Sequence, residues 1–387
     1  MVDVFRPRES TPSIYQQIGV PTIINGRGAT TAVGGSLMAP EVAAAMVDAS
    51  RAFVVLEDLN RKVGESIAQI TGMAAGCVTA GSAAGMALAA AACIAGSDPE
   101  RIQRLPDSNG MPNEIILHRA HRLNYDQMYR AAGGRIVEIG MPAGTERWEL
   151  ERAITDRTAA VAFHDSRNTG PGALDFSTVV EIAHARGVPV IVDAASTAPP
   201  LSHINRWSEL GADLLIFSGG KGIRGPQDSG LLAGRADLIA AALANGSPNA
   251  AIGRGMKVSK EAMAGLWTAI KLFLETDHEA AHRVHLDQAE AIVAALADRT
   301  DARCVIEGDW EDWPAPVVRV FPIKCAWSAT DLRARLISGD PAIYVDLAHG
   351  GLQISTHCLL PGDELVVGAR IAARLGTREL GRDTRKQ

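Results

Sequence analysis

The stretch ADLLIFSGGKGIRGPQDSG, residues 212–230, begins with a short apolar run and continues into a glycine-rich loop that contains Lys221. The run PVIVD, residues 189–193, precedes it and ends on Asp193. Short apolar runs rich in β-branched residues are typical of buried parallel strands. Consecutive strands are often neighbours in a sheet, so we predict that Asp193 and Lys221 face one crevice at the carboxyl ends of two strands.

Further apolar runs alternate with helical patterns along the chain. Strand-like runs are EIILH at 114–118, RIVEI at 135–139 and AAVAF at 159–163. The run at 176–188 places apolar residues on one helical face, and the alanine-rich run at 83–96 predicts a buried helix that is too short to span a bilayer. This alternation predicts an α/β fold with βαβ units and a mostly parallel sheet covered on both faces.

The pattern changes in the last third of the chain. A helical pattern runs from 259 to 298, longer than an ordinary globular helix, so we expect it to break or to bridge two domains. The runs that follow it predict a small α+β domain. We therefore predict an N-terminal segment over 1–50, a large domain over 51–258, and the long helix with a small C-terminal domain over 259–387.

Composition and charge limit the classes of function. The 387 residues carry a formal net charge of −6, and the basic residues are scattered, so we expect no nucleic-acid partner. Five cysteines are widely spaced with no CxxC pair, and the first residues lack the apolar core of a signal peptide. These features predict reduced thiols, a cytoplasmic location and no association with membranes.

Asp193 and Lys221 together have the chemistry of a pyridoxal 5′-phosphate (PLP) site. A loop lysine can bind the cofactor aldehyde as a Schiff base, and a strand-end aspartate keeps the pyridine nitrogen protonated, so that the ring accepts electrons from a bond broken at the substrate Cα. Taken singly, Asp193 is better explained as a turn or helix-capping residue and Lys221 as a solvated loop residue. Their position at the ends of two consecutive strands favours the cofactor site.

A binding place for the cofactor phosphate is predicted where the run VTAGSAAGMALAAAACI, residues 78–94, enters its helix. Gly81, Ser82 and Ala83 are small, so they expose backbone N–H groups at a helix N-terminus that favours an anion. Close packing of a capped helix explains the same residues, and both explanations can hold. Ser218, three residues before the lysine, would add a hydroxyl to the same phosphate.

His121, in ILHRAHRLNYD at 116–126, follows a predicted strand end, where its ring would stack on the pyridine face. A structural or solvated histidine is an equally good explanation. His118 and His121 suggest a metal pair, but no third ligand cluster lies near them in the sequence, so we predict no metal.

Two nucleotide-binding motifs must be considered for the lysine loop. GKGIRG at 220–225 matches the dinucleotide pattern G-x-G-x-x-G, but Pro226 follows at once, which fits a turn better than a helix. A phosphate-binding P-loop is excluded because Leu215 stands where its first glycine should be, and Gly222 follows the lysine in place of serine or threonine. We therefore predict neither a dinucleotide-binding site nor a P-loop here.

Several stretches together resemble one known family. They are INGRGATTAVGGSLMAPEVAAAM from residue 24, VTAGSAAGMALAAAACIAG from 78, GVPVIVDAASTAPP from 187, ADLLIFSGGKGIRGPQDSGLLAGR from 212 and IGRGMKVSKEAMAGL from 252. The chain resembles the selenocysteine-synthase-like group of fold-type-I PLP-dependent enzymes, and within it proteins of the D-glucosaminate-6-phosphate ammonia-lyase type. The likeness covers 15–275 well and the C-terminal domain loosely, and SGGK-x-IRGPQ is its most specific motif.

The resemblance implies an aspartate-aminotransferase-like architecture, with a large, mostly parallel sheet domain and a small α+β C-terminal domain. It implies Lys221 as the residue that carries the cofactor and Asp193 as the pyridinium partner. It also implies a homodimer, or a dimer-based assembly, with active sites shared between subunits. GRGMKV at 253–258 would bring Arg254 or Lys257 toward a phosphate, from the same or the neighbouring subunit.

Two departures from the family pattern limit what is carried over. Selenocysteine synthase has an additional N-terminal tRNA-binding domain, whereas this chain reaches INGRG by residue 24, so we expect no tRNA binding. Many fold-type-I enzymes hold the substrate carboxylate with an arginine of the small domain, but the run at 350–363 contains none. Arg27, Arg167 or backbone groups are therefore candidates for binding anionic substrate groups, and a surface or structural ion pair explains either arginine alone slightly better. Asn168 is a candidate for contacting the cofactor O3′.

On this basis we expect a PLP-dependent enzyme that acts at Cα and Cβ of an amino acid. The resemblance favours α,β-elimination of the ammonia-lyase or dehydratase type, in which a carbanion forms at Cα within an external aldimine. Amino-acid racemisation and aldol cleavage use the same carbanion and remain alternatives. A non-catalytic binding module on the same fold is a further alternative.

Overall fold

The computed structural model describes residues 13–166, 169–308, 315–323 and 325–375, and contacts within the chain divide it into two units. The large unit is the continuous segment Ala29–His278. The small unit combines Met1–Gly28 with Glu279–Gln387. The predicted long helical stretch breaks beside this boundary, after Glu275.

Strands and helices of the described residues are numbered in chain order. The strands are β1 Ile23–Asn25, β2 Ala75–Thr79, β3 Glu114–His118, β4 Arg135–Ile139, β5 Thr158–His164, β6 Val190–Asp193, β7 Leu214–Ser218, β8 Gly230–Gly234, β9 Ala302–Glu307, β10 Val317–Pro322, β11 Ala342–Tyr344, β12 Asp346–Ala348 and β13 Gly351–Ser355. The α-helices are α1 Ile14–Ile18, α2 Pro40–Ala49, α3 Leu56–Thr71, α4 Gly81–Ala95, α5 Pro99–Arg104, α6 Gln127–Ala131, α7 Arg147–Ala153, α8 Phe176–His184, α9 Ser202–Glu209, α10 Ala236–Asn245, α11 Lys260–Glu275, α12 His278–Ala294, α13 Ala329–Ile337 and α14 Asp363–Arg374.

A seven-stranded sheet forms the centre of the large unit, in the order β2-β8-β7-β6-β5-β3-β4. Strands β7, β6, β5, β3 and β4 pair in parallel, and β8 runs antiparallel to both of its neighbours. Parallel strands need helices on both faces of the sheet, which explains their unbroken apolar sequences. The predicted mostly parallel sheet is confirmed.

Alternate residues of these strands pack on opposite faces of the sheet. On one face Ile191, Leu214 and Ile216 contact the alanine-rich helix α4, which is buried along nearly its whole length. On the other face Val192 and Phe217 pack with apolar residues of α3, α8, α9 and α11. The small alanine side chains let α4 approach the sheet closely, so the predicted buried helix is confirmed.

The small unit has its own sheet and its own core. Its four antiparallel strands follow the order β12-β13-β10-β9, and β1 pairs in parallel with β11. Val318 and Ile354 of this sheet pack against apolar residues of α12, α13 and α14, such as Ile292, Leu336 and Ile371. This arrangement confirms the predicted small α+β domain.

Candidate active site

Three parallel strands of the large unit end side by side. Strand β6 ends at Asp193, between β5, which ends at His164, and β7, which ends at Ser218. Residues two apart on a strand share a face, so all three side chains lie on the face that α4 covers. The carboxyl edge of an α/β sheet is where such folds bind ligands.

The N-terminus of α4 lies at the same edge of the sheet. Thr79, at the end of β2, and Ser218, at the end of β7, both pair with Gly230 of β8. A Cβ on Gly230 would stand 2.5 Å from the carbonyl carbon of Gly81, the first residue of α4. Glycine at 230 is therefore what allows the helix start to sit against the strand ends.

The start of α4 is suited to an anion. Ala80, at its N-cap position, provides no side-chain hydrogen bond to the first turn. The backbone N–H groups of Gly81, Ser82 and Ala83 are therefore available to a ligand, and the helix dipole favours negative charge there. Ser218 ends β7 at the same edge of the sheet, so the structure brings together the residues that the sequence predicts for the phosphate.

The charge of Asp193 acts on Lys221. Asp193 is only 7% exposed, and its Oδ1 accepts a hydrogen bond of 3.1 Å from the backbone N–H of Ala195. Burial lowers the pKa of Lys221, and the carboxylate of Asp193 opposes that shift. The structure thus brings together the two residues on which the sequence prediction depends.

The backbone that carries Lys221 is fixed by close contacts. The hydroxyl of the buried Ser36 donates to the carbonyl oxygens of Gly220, at 2.9 Å, and Lys221, at 2.8 Å. A Cβ at Gly222 would clash with the carbonyl oxygen of Ala198, in the loop that follows Asp193. The lysine loop therefore packs directly against the aspartate loop.

His121 ends a short 3₁₀ turn after β3 and is 5% exposed. Its ring lies edge-on to Phe163, with 4.5 Å between ring centroids. Burial lowers the pKa of His121 to about 3, and the imidazoles of His118 and His164 add to the shift. A neutral, immobile imidazole is suited to stacking on an aromatic ring.

Among the residues described, no group of three potential metal ligands is present.

Asp165, directly after β5, contacts the end of β6 through its backbone. The backbone N–H of Asp165 donates to the carbonyl oxygen of Asp193 at 2.8 Å, and Arg206 of α9 pairs with the Asp165 carboxylate at 2.6 Å. Burial raises the pKa of Asp165; the guanidinium of Arg206 opposes this shift and the carboxylate of Asp193 adds to it. Sequence analysis overlooked Ser36, Asp165 and Arg206, because no motif joins them to the lysine.

The other predicted residues lie elsewhere or outside the description. Arg254 and Lys257 are exposed, in the segment between α10 and α11. Arg27 belongs to the small unit, where its Nε donates to the carboxylate of Asp346 at 2.7 Å. Arg167 and Asn168 fall outside the described residues.

Comparison with known proteins decides the family. The chain is 35% identical to D-glucosaminate-6-phosphate ammonia lyase of Salmonella typhimurium over 372 residues, which cover 93% of this chain and 97% of that enzyme. The chain belongs to the selenocysteine-synthase-like family of fold-type-I, PLP-dependent enzymes. A solved structure of D-glucosaminate-6-phosphate ammonia-lyase superimposes with a TM-score of 0.81 at 33% identity, covering 94% of this chain and 99% of that one.

Other proteins are also similar to the chain. A 5′-C-glycyluridine monooxygenase-decarboxylase of Streptomyces is 36% identical over 91% of this chain and 90% of that enzyme. L-seryl-tRNA(Sec) selenium transferase of Solidesulfovibrio magneticus is 25% identical over 91% of this chain and 81% of its own length. The family model Aminotransferase class-V matches residues 114–305.

The comparisons confirm the predicted resemblance, the fold type, a PLP-dependent enzyme and PLP as cofactor. The similarity to an ammonia lyase supports the prediction of a lyase and is consistent with α,β-elimination. The structure fits the cofactor, because a half-buried lysine, a buried carboxylate and an uncapped helix N-terminus lie at one edge of the sheet. Within the described residues, no helix is both long and apolar enough to cross a membrane.

Replacing Ser36 with alanine is expected to weaken PLP binding about 10-fold, because the carbonyl groups of Gly220 and Lys221 would lose the hydroxyl that contacts both and keep only the backbone N–H donors of Ser36 and Arg224. The dissociation constant is measured by titrating the apo protein with PLP and following fluorescence. Ser50→Ala is the matched control, since the Ser50 hydroxyl also donates to a carbonyl, that of Val47, but at an exposed position. An unchanged affinity in Ser36→Ala would show that Ser36 does not hold the cofactor lysine in place.

Proposed function

We propose that this chain catalyses α,β-elimination on an amino acid with a leaving group such as hydroxyl at Cβ. The net reaction releases ammonia and a 2-oxo acid. A single observation carries the proposal: burial lowers the pKa of Lys221, which lies near the carboxylate of Asp193. The similarity to an ammonia lyase over nearly the full length of both chains supports elimination.

In this proposal Lys221 and Asp193 each hold a different proton. When bound, PLP supplies an electron sink for charge at the substrate Cα. Lys221 holds the cofactor and later takes the Cα proton at Nζ, because the lowered pKa leaves more of its amine neutral near pH 7. The carboxylate of Asp193 holds the proton of the pyridine nitrogen.

The remaining residues bind the cofactor and orient it. Gly81, Ser82, Ala83 and Ser218 hold the cofactor phosphate through backbone N–H groups and hydroxyls, since α4 begins beside the end of β7. His121 stacks on the cofactor ring. The positions of these residues in the large unit support the proposed roles.

Four polar residues are proposed on the family resemblance alone. Asn168 contacts the cofactor O3′, and Arg27 and Arg167 bind anionic substrate groups. Arg254 contacts a phosphate, and its exposed position suits a role in the neighbouring subunit. In the chain by itself the Arg27 guanidinium pairs with Asp346, so substrate binding would require it to exchange or share that carboxylate.

A second candidate is an oxygen-dependent reaction. A relative named as a monooxygenase-decarboxylase is as similar to this chain as the ammonia lyase is, at 36% and 35% identity. Racemisation and aldol cleavage are further alternatives. All of these reactions begin with a bond broken at Cα, and the protein selects among them by the bond it aligns with the cofactor π-system.

The reaction is identified by screening D- and L-amino acids, including hydroxy and sugar amino acids. Ammonia, 2-oxo acid, Cα deuterium exchange and oxygen uptake are followed together. Elimination predicts equal amounts of ammonia and 2-oxo acid with no oxygen uptake. Deuterium exchange without 2-oxo acid would instead indicate a racemase, aldehyde release an aldolase, and stoichiometric oxygen uptake a monooxygenase.

We also propose a homodimer or dimer-based assembly with shared active sites, located in the cytoplasm. The segment between α2 and α3 supports the assembly, because Phe53, Val54 and Val55 are 102%, 52% and 64% exposed in the single chain. Three consecutive exposed apolar side chains are unusual on a monomer and support a surface that another chain covers. Widely spaced cysteines support the location.

Replacing Phe53 with aspartate is expected to convert the dimer to a monomer, because a charge would be buried without a partner in the interface. Light scattering after size-exclusion chromatography measures the mass. Trp148→Asp, at another exposed aromatic residue on α7, is the control and should leave the mass unchanged. A monomeric wild type, or a Phe53→Asp variant that stays dimeric, would contradict the proposed interface.

A further inference from the structure

Tyr129 lies on α6 and is completely buried. Its hydroxyl is 3.2 Å from Nε2 of His164, and the two rings are stacked with centroids 5.8 Å apart. Burial raises the pKa of Tyr129 well above its usual value, and the carboxylates of Asp193 and Asp126 add to the shift. The hydroxyl therefore stays protonated and can donate a hydrogen bond.

His164 ends β5 and is the register partner of Asp193 on β6. Its Nδ1 lies 2.8 Å from the carbonyl oxygen of His121. A carbonyl oxygen only accepts hydrogen bonds, so Nδ1 carries the ring proton. In the neutral ring Nε2 then has a lone pair facing the Tyr129 hydroxyl, and these contacts select the Nδ1–H tautomer of His164.

His121 is tied to His164 a second time. The backbone N–H of His164 donates to Nδ1 of His121 at 3.4 Å. The ring proton of a neutral His121 must therefore be on Nε2. The edge-on contact with Phe163, at 4.5 Å, limits rotation of the ring. Both the main chain and the side chain of His121 are thus held by one residue.

We propose that Tyr129 and His164 are positioning residues. Their side chains fix the backbone carbonyl of His121, and the backbone N–H of His164 fixes the His121 ring as the neutral Nε2–H tautomer, in the orientation needed to stack on the cofactor. This inference rests on the stacking role proposed above for His121. A neutral ring matters because an imidazolium against a protonated pyridine would place two like charges in contact. Tyr129 acts through His164, and His164 acts through His121.

The first test needs neither substrate nor cofactor. Nitrogen NMR of the apo protein, labelled with ¹⁵N only in histidine, reports the tautomer of each ring, and His121→Asn and His164→Asn variants assign the two signals. We expect Nδ1–H for His164 and Nε2–H for His121 at pH 7. We expect Tyr129→Phe to shift the Nε2 signal of His164. A wild-type protein with either ring in the other tautomer, or in mixed tautomers, would overturn the proposal.

The second test separates positioning from simple structural support. His164→Ala removes both side-chain bonds, whereas the amide N–H of His164→Asn can still donate to the His121 carbonyl. We expect His164→Ala to change the visible circular dichroism of bound PLP and to lower kcat about 10- to 100-fold at unchanged KM. His164→Asn should recover most of both signals.

Lower thermal stability in both variants, with wild-type dichroism and wild-type kcat, would mean that His164 is only structural and would overturn the inference. The Tyr129→Phe variant keeps the question testable if His164→Ala fails to fold. Failure of the proposed elimination is distinguishable, because the histidine tautomers and the dichroism of bound PLP are measured without turnover.

Discussion

Replacing Lys221 with alanine is expected to lower kcat by about 10⁴-fold or more, because the chain loses both its covalent hold on the cofactor and the base that takes the Cα proton. The structure gives the reason in the single chain: burial lowers the pKa of this amine, and Ser36 fixes the backbone that carries it. Release of ammonia and 2-oxo acid measures the loss.

Lys221→Arg is the informative companion to the alanine variant. It keeps a positive charge near Asp193 but has no primary amine, so it should be as inactive as Lys221→Ala. Lys62→Ala, at an exposed lysine of α3, serves as the control and should retain full activity. Residual activity of Lys221→Arg near that of wild type would remove Lys221 from the mechanism.

Replacing Asp193 with asparagine is expected to lower kcat by about 10²- to 10³-fold while PLP remains bound, because a preorganised charge opposite the pyridine nitrogen is lost and the shape is kept. Steady-state kinetics and the absorption spectrum of the bound cofactor measure the two effects separately. A carboxylate that is 7% exposed cannot be replaced there by solvent.

The control for Asp193→Asn is Asp175→Asn, which removes a carboxylate that caps α8 on the surface. It should lower stability slightly and leave kcat unchanged. If Asp193→Asn turns over substrate at the wild-type rate, the aspartate does not serve the cofactor nitrogen, and the site would need another group for that task.

Much of the large sheet can be predicted from the sequence, because parallel strands buried on both faces are continuous apolar runs. Strands β3 and β4 occupy the predicted ranges 114–118 and 135–139. The antiparallel strand β8 is not predictable in this way. It reads GLLAG, and Gly230 is required by the close approach of α4 rather than by strand propensity.

Some residues of the candidate site can likewise be predicted from the sequence, and others cannot. Asp193 and Lys221 can be predicted because each follows a recognisable strand, and sheet topology then brings strand ends together. Ser36 is 185 residues from Lys221 along the chain, and His164 is 43 residues from His121. Neither separation corresponds to a helical or strand period, so tertiary packing alone creates these contacts.

The covalent attachment of the cofactor tests the central claim most directly. The purified protein is incubated with PLP, reduced with borohydride, digested and analysed by mass spectrometry. We predict one pyridoxyl phosphate group, on Lys221, in the peptide that contains SGGKGIR. A protein that carries the label on another lysine, or that remains unlabelled after reduction, would contradict the account.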